Sequence, residues 1–308
     1  MSCYIIDLLD VTILYKLKTN LSMNNAVQLC YFEGPKYFFL SDQVPSLVYY
    51  SHIPLIAGTI IIAVMILLKG KSSYRLINKI FFYTLLAFAL WVIFSLLFWS
   101  NNRSDVVMLV WGWTLAVEPL VYIGMLYLVQ AIIGGSDISF NQKLVIGLLY
   151  LPVLVLLPTM YSLSGFDIGT CLSIEGPLAL YYIYAIEFIF TAWIIVYGIN
   201  QYRKQKERKG EILLLTLGSV LFLVAFAWGN LIGSFTDNWT LGEFGLVGMP
   251  IFLGFLVYTI IKYQLFNIKL ISANVLVVVL WVLIGSLLFI QDINIVRTVV
   301  GATSLAAF

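Results

Sequence analysis

Two glutamates stand in the middle of long apolar stretches, where an ionisable side chain is unusual. Glu118 lies in WGWTLAVEPLVYIGMLY and Glu187 lies in YYIYAIEFIFTAW. A carboxylate within a membrane span is costly, and such residues generally face a bundle interior or a water-filled cavity and serve a function. If the two carboxyl groups meet, they can share a proton or bind a cation. The functional interpretation is a pocket that responds to a ligand, an ion or a proton. The alternative is that neutral carboxyls hydrogen-bond to tyrosines or backbone and hold helices together.

The residues after Glu118 also favour a functional role for this part of the helix. Pro119 removes a backbone donor and frees the carbonyl of Leu115, so it perturbs the helix there. Tyr122 follows Glu118 by one turn and therefore lies on the same helix face. A carboxyl, a phenol and a freed carbonyl are thus expected close together.

Three tryptophans and an asparagine would line the outer half of such a pocket, namely Trp111, Trp113, Trp228 and Asn230. For the tryptophans, a belt at the membrane interface is the simpler interpretation. The candidate sensing pocket consists of Glu118, Tyr122, Glu187, Trp111 and Asn230.

The loop YSLSGFDIGTCLSIEGPL is rich in Gly and Ser and would lie over this pocket as a lid. Its end, Glu175, Gly176 and Pro177, also reads as an ordinary helix start. A carboxylate favours the first turn of a helix, and proline suits the first helical position.

Residues for enzymatic chemistry are scarce in the sequence. Neither a phosphate-binding Gly-rich loop nor a G-x-S-x-G element occurs, and His52 is the single histidine. We interpret His52 as an interfacial aromatic near a helix start, with pH sensing as the alternative. We therefore expect no catalytic residue, no metal site and no cofactor.

The composition indicates the surroundings that must position these residues. The chain is 62% hydrophobic and only 10% charged, whereas soluble domains are about 45–50% apolar and about 25% charged. This excludes a soluble globular enzyme, a disordered protein and a coiled coil. The fold class we predict is all-α, a polytopic membrane helix bundle.

Eight apolar runs approach or exceed the length of about 20 residues that a helix needs to cross the hydrocarbon. We predict seven transmembrane helices, an eighth, and the start of a ninth. The fourth run carries Pro152 and Pro158, so we expect its outer end to be irregular. The runs are 47–68, 80–99, 106–133, 144–160, 177–198, 212–234, 245–265 and 273–290.

The Lys and Arg residues of the loops predict the orientation. They concentrate after the first, third, fifth and seventh runs, whereas the opposite loops hold Arg103 among acidic residues. Basic loops stay in the cytoplasm, so segment 1–46 is predicted to lie outside. The run 203–209 is interpreted as a topology determinant that contacts lipid headgroups, with partner docking as the alternative.

The cysteines are Cys3, Cys30 and Cys171, without C-x-x-C spacing. Cys30 and Cys171 both fall on the predicted outer side, where a disulfide is chemically allowed. Free or buried thiols are the interpretation we favour, and a Cys30–Cys171 disulfide is the alternative.

The stretch KYQLFNIKLISANVLVVVLW, which joins the seventh and eighth runs, resembles a junction in bacterial sensor histidine kinases with an N-terminal seven-helix membrane region. Its distinctive part is 262–272, a helix end with Tyr and Phe followed by an LF-I element. Members from the candidate phyla of small-genome bacteria look especially similar, because they add a helical hairpin before the kinase core. The resemblance covers about 47–308.

Two further features agree with this family. Cys171 is followed by Glu175–Gly176 in the outer loop, and Glu118–Pro119 stands in the third run. The resemblance implies a sensory input region of a two-component system, with Glu118, Tyr122, Glu187 and the outer loops as input residues. It also implies a homodimer in the bacterial cytoplasmic membrane with the N-terminus outside.

The topology and the resemblance together divide the chain into three parts. Segment 1–46 is an external extension, disordered or interfacial; 47–268 is the seven-helix sensor region; and 269–308 is an additional hairpin. Because the last apolar segment stops at Phe308, we expect it to be truncated before the kinase core. Kinase activity is therefore not expected of this chain, and we do not predict an enzyme.

Other functions stay open. A proton-coupled secondary transporter would use Glu118 and Glu187 to couple substrate to protons, although the two halves show no convincing repeat. An orphan receptor-like protein and an intramembrane transferase are further alternatives. The expected partners are the lipid bilayer and an unknown small-molecule or ion stimulus, with no nucleic acid.

Overall fold

The computed structural model describes residues 27–36, 39–42, 44, 46–69 and 75–236. The predicted runs at 245–265 and 273–290, the start of a ninth span, the distinctive segment 262–272 and most of the N-terminal extension lie outside the described residues.

The described part of the chain is mostly helical, so the predicted all-α class is confirmed. Each of the first six predicted runs coincides with a helix. These are α1 (Ser46–Lys69), α2 (Arg75–Ser100), α3 (Ser104–Gly134), α4 (Phe140–Leu156), α5 (Tyr184–Lys204) and α6 (Lys209–Thr236). A π-helical turn, Leu178–Ile183, leads directly into α5.

Four helical stretches among the described residues are long and apolar enough to cross a membrane. They are Arg75–Ser100, Ser104–Gly134, Leu178–Lys204 and Lys206–Gly233. The lipid-facing character is plainest in the shorter helix α4, which buries only Ile146 and Val153 and exposes an otherwise apolar surface. Such a surface suits hydrocarbon and not water.

Local sequence determines where α4 begins and ends. Ser139 accepts a hydrogen bond from the Gln142 amide while the Gln142 side chain accepts one from the Ser139 amide. This capping box starts the helix at Phe140, before the predicted residue 144. The helix ends at Leu156, earlier than predicted, and turns follow it. The irregular outer end expected from the prolines is thus confirmed.

Helix α3 is the centre of the bundle. It packs most extensively on α2 and also contacts α4, α5, α6 and the segments after α4. Gly124 of α3 allows the close approach of α2, because a Cβ there would lie 3.0 Å from the Cβ of Thr84. Gly198 of α5 has the same relation to Thr216 of α6. Small residues that let helix backbones approach are typical of packing within membranes.

A short antiparallel hairpin covers one end of the bundle. Strand β1 (Leu163–Asp167) pairs with β2 (Leu172–Glu175) in the Gly- and Ser-rich loop that we predicted as a lid. The Asp167 carboxylate accepts hydrogen bonds from the Gly169 amide and the Thr170 hydroxyl, each at 2.9 Å. These bonds stabilise the turn between the strands. We call this end of the bundle the hairpin end, and the opposite end, which holds the run 203–209, the basic end.

A disulfide joins Cys30 to Cys171 at the hairpin end, with Cα atoms 5.8 Å apart. The expectation of free thiols was therefore wrong for these two residues. Backbone hydrogen bonds prepare the pairing, since the Cys30 amide donates to the Asn102 carbonyl and the Ser104 amide to the Gln28 carbonyl, each at 2.9 Å. They fix the segment before α1 beside the start of α3, next to the hairpin.

Candidate functional site

Glu118 lies in the interior of the bundle, where α3 faces α6. Its side chain is 1% exposed. The Asn230 side-chain amide of α6 donates a 2.7 Å hydrogen bond to Glu118 Oε1. The indole of Trp91 in α2 also lies against this carboxyl. Three helices thus meet at one carboxyl group, and two predicted site residues are in direct contact.

Glu187 of α5 is the second buried carboxyl, with 3% of its surface exposed. Its Oε1 atom has no hydrogen-bond partner among the described residues. A buried polar atom without a partner is costly, and it requires a specific explanation such as a functional role. Glu118 is close enough to interact with Glu187 electrostatically. The functional interpretation, in which the two carboxyls share a proton or a cation, stays a prediction.

Tyr122 connects the two carboxyl groups. It is fully buried, and its hydroxyl donates a 3.3 Å hydrogen bond to the Leu223 carbonyl of α6. The same hydroxyl interacts with the Glu187 carboxyl, and it also interacts electrostatically with the Glu118 carboxyl. The structure therefore brings together Glu118, Tyr122, Glu187 and Asn230, from three helices.

An aromatic floor lies beneath these polar groups. Phe226 of α6 packs edge to face on Trp91 with ring centroids 4.5 Å apart, and its ring is tilted against that of Tyr122 at 5.8 Å. Phe88 and Phe222 extend the cluster, at 5.2 Å from each other. Sequence reasoning missed these residues, because an aromatic in an apolar run carries no signal that separates it from other lipid-facing or core positions.

A cavity of about 1050 Å³ lies at the hairpin end, above the carboxyls. Trp111 lines it, as predicted, together with Glu175 of β2. A second, much smaller space of about 10 Å³ is lined by Glu175, Glu118 and Asn230. Trp111 and Glu175 border both spaces, so the small space beside Glu118 neighbours the cavity at the hairpin end. Glu175 lies in the loop that we had interpreted as a lid or as a helix start, and it borders both spaces.

Two of the predicted lining residues point elsewhere. Trp113 is 52% exposed and Trp228 is 43% exposed, and neither borders the described cavities. Residues two apart on a helix point about 200° apart, so Trp111 and Trp113 cannot share a face. The interface belt is the better account of Trp113 and Trp228.

We had interpreted His52 as an interfacial aromatic near a helix start. The structure buries it between two helices. It is 1% exposed and packs between α1 and α2. One ring nitrogen, Nδ1, lies 2.9 Å from the Val48 carbonyl, and the other, Nε2, lies 3.0 Å from Ser95 Oγ. Both nitrogens are satisfied, so the residue joins two helices away from the carboxyls.

The charge at the rim of the cavity is negative. Hydrogen bonds from the Gly169 amide and the Thr170 hydroxyl lower the pKa of Asp167, so its carboxylate stays ionised at neutral pH. Within the part of the chain that the structure describes, no group of three His, Cys, Asp or Glu side chains is arranged to hold a metal ion. As far as the described residues show it, the site is an acidic, aromatic cavity.

The apolar helices and the buried polar cluster together define a helical membrane protein. Comparison of the chain with protein-family models, with curated proteins and with solved structures found no match.

Proposed function

We propose that this chain is the membrane-embedded sensory input region of a two-component histidine kinase. The observation that carries the proposal is the buried Glu118, which is hydrogen-bonded to Asn230 of another helix and borders a small space that neighbours the cavity at the hairpin end. A ligand, ion or proton arriving there changes the charge or the hydrogen bond between α3 and α6. Since these helices run to the basic end, the change reaches the opposite side of the bundle.

The proposed orientation puts the N-terminal segment outside the bacterial cytoplasmic membrane. The Cys30–Cys171 disulfide supports it, because disulfides persist in oxidising compartments. The described residues of the run 203–209 stand at the other end of the bundle, in agreement with the rule that basic loops stay in the cytoplasm. The remaining spans, the homodimer and the separate kinase core are proposed on the family resemblance.

The test of the sensory function is a fusion of the chain to a histidine-kinase core in cells. Glu118→Gln and Glu187→Gln remove an ionisable group and keep the shape of the side chain, so basal autophosphorylation should shift while membrane insertion is unchanged. Glu207→Gln, an exposed position in the run at the basic end, is the matched control. If both core variants signal like the wild type, the carboxyl pocket is not the input.

A proton-coupled transporter is the second candidate, favoured by the unpartnered Oε1 of Glu187 beside Glu118. Buried carboxyls in contact are a common arrangement of proton relays in pumps and transporters. The two functions differ in a single measurement. Proteoliposomes with a pH-sensitive dye inside should show no substrate-dependent proton uptake if the chain is a sensor, and uptake that is lost in Glu187→Gln if it is a transporter.

A further inference from the structure

The lining of the cavity at the hairpin end has a distinct chemistry. Five aromatic rings contribute to it, those of Tyr31, Phe32, Phe98, Trp99 and Trp111. Two carboxylates, Asp167 and Glu175, are the charged groups, and no Lys, Arg or His occurs among its described lining residues. The volume of about 1050 Å³ is at the upper end of the range of small-molecule sites. The surface therefore favours a cation over an anion or a neutral solute.

A second, independent feature of the same cavity also indicates a ligand. Ser173 of β2 lines it and is only 6% exposed, yet its hydroxyl has no hydrogen-bond partner among the described residues. Buried hydroxyls are normally hydrogen-bonded, and an exception requires an explanation. An occupant with a polar group would satisfy this hydroxyl.

The nature of the cation follows from its surroundings. The described residues provide no cluster of metal ligands, and aromatic faces do not replace the oxygen ligands that small inorganic cations need. Aromatic rings do attract organic ammonium groups through their negative faces, and cages of this kind recognise quaternary ammonium compounds. Phe98 and Trp111 pack on each other with ring centroids 4.6 Å apart, so their positions in the cavity wall are fixed.

We propose that the cavity at the hairpin end binds a small organic cation with an ammonium head, held by the Glu175 carboxylate and the rings of Phe98, Trp99 and Trp111. Its polar tail reaches the Ser173 hydroxyl. That this cation is the stimulus rests on the sensory function proposed above, whereas the binding itself does not.

A bound cation would also act electrostatically on the buried carboxyl of Glu118. Glu175 borders both the large cavity and the separate small space beside Glu118, and the carboxyls of Glu175 and Glu118 interact electrostatically. A positive charge at Glu175 changes the field at Glu118, whose hydrogen bond joins α3 to α6. Binding at the hairpin end is thereby communicated to the interior.

The experiment is isothermal titration calorimetry on the full chain in lipid nanodiscs. The probes are choline and its neutral carbon isostere 3,3-dimethylbutan-1-ol, which have the same shape and differ in charge. We expect choline to bind and the neutral alcohol to bind at least about tenfold more weakly, a difference of 1.4 kcal/mol or more. Equal affinity for the two probes, or binding of neither choline nor tetramethylammonium, would overturn the proposal.

Two variants test whether the cation binds next to Glu175. Glu175→Gln should weaken choline binding about tenfold, whereas Asp105→Asn should leave it unchanged. Asp105 is an acidic residue at the same end of the bundle, but it pairs with Arg103 and does not border the cavity. Wild-type affinity in Glu175→Gln contradicts the assignment. If Glu175→Gln fails to fold, as judged by its melting transition, the comparison of choline with its neutral isostere on the wild-type chain still tests the proposal.

The kinase fusion separates this proposal from the sensory function. Choline binding without a change in autophosphorylation retains the site and rejects its role as the stimulus. A response to Glu118→Gln without any choline binding retains the sensory function and rejects the ligand class.

Discussion

Asn230 donates a 2.7 Å hydrogen bond to Glu118 across 112 residues of chain, and so joins α6 to α3 in the interior of the bundle. Water is scarce at such a depth, so each group depends on the other as a partner. The bond also makes the packing of two helices sensitive to the state of one carboxyl group. This is the element on which an input signal can act.

The strength of this link is measurable by a double-mutant cycle. We expect Glu118→Leu and Asn230→Leu to have non-additive effects on the free energy of unfolding, with a coupling between about 0.6 and about 1.7 kcal/mol, the average and the maximum found for interhelical hydrogen bonds in a membrane protein. Reversible unfolding in mixed micelles gives the four values. Additive effects would show that the bond does not hold α3 to α6.

The close contact of α2 and α3 at Gly124 predicts a steric effect. A methyl group at Gly124 would meet the side chain of Thr84, so Gly124→Ala should destabilise the fold by about 1–3 kcal/mol. Gly112→Ala, on the same helix with nothing within 4 Å of the added atom, is the matched control and should be neutral or mildly stabilising. Thermal unfolding followed by circular dichroism compares the two.

A compensating change tests the cause. Thr84→Ala removes the atoms that the new methyl group would meet, so Gly124→Ala combined with Thr84→Ala should recover part of the lost stability. No recovery in the double variant would mean that the cost arises elsewhere than at the α2–α3 contact.

The disulfide predicts a redox-dependent stability. Cys30 and Cys171 are 141 residues apart, and closing so long a loop restricts the unfolded chain by an amount on the order of 4 kcal/mol. Reduction should lower the melting temperature of the wild type, and Cys30→Ser, Cys171→Ser and the double variant should all resemble the reduced protein. Cys3→Ser is the control and should behave like the oxidised wild type. A reductant effect that persists in Cys171→Ser would refute the pairing.

Arg208, at the basic end, makes contacts that we expect a lysine at the same position not to make. Its guanidinium donates to both oxygens of Glu211 and to the carbonyls of Ile132 and Ile133 at 3.4 and 3.3 Å, in the last turn of α3. A cation is favourable at a helix C-terminus, and only the planar guanidinium offers donors in several fixed directions.

We therefore expect Arg208→Lys to lower stability by about 0.5–2 kcal/mol and to speed amide hydrogen exchange at the end of α3. Arg203→Lys makes the same change at an exposed position and should have no effect. Equal exchange rates in the two variants would exclude the proposed capping of α3.

Much of this architecture could be predicted from the sequence because it depends on local properties. Apolar runs of sufficient length predicted the helices, and the Ser139–Gln142 capping box explains the start of α4 better than the apolar run alone. Glu118 and Glu187 were conspicuous because a carboxyl in an apolar run must find a special environment. The exposure of Trp113 was also predictable, since it stands two residues from the buried Trp111.

The pairings, by contrast, depended on the tertiary structure. Whether Cys30 meets Cys171 or Asn230 meets Glu118 is a matter of distances between residues more than 100 positions apart, and periodicity carries no information on which helix faces which. Glu175 illustrates the same limit, because a carboxylate at a helix start joins the cavity only through the way the hairpin folds over α3. The sequence by itself determined the membrane helices and the buried acids, since hydrophobicity and charge act residue by residue. The packing of helices decided the cavity, the disulfide and the contacts of those acids, because such features exist only between elements.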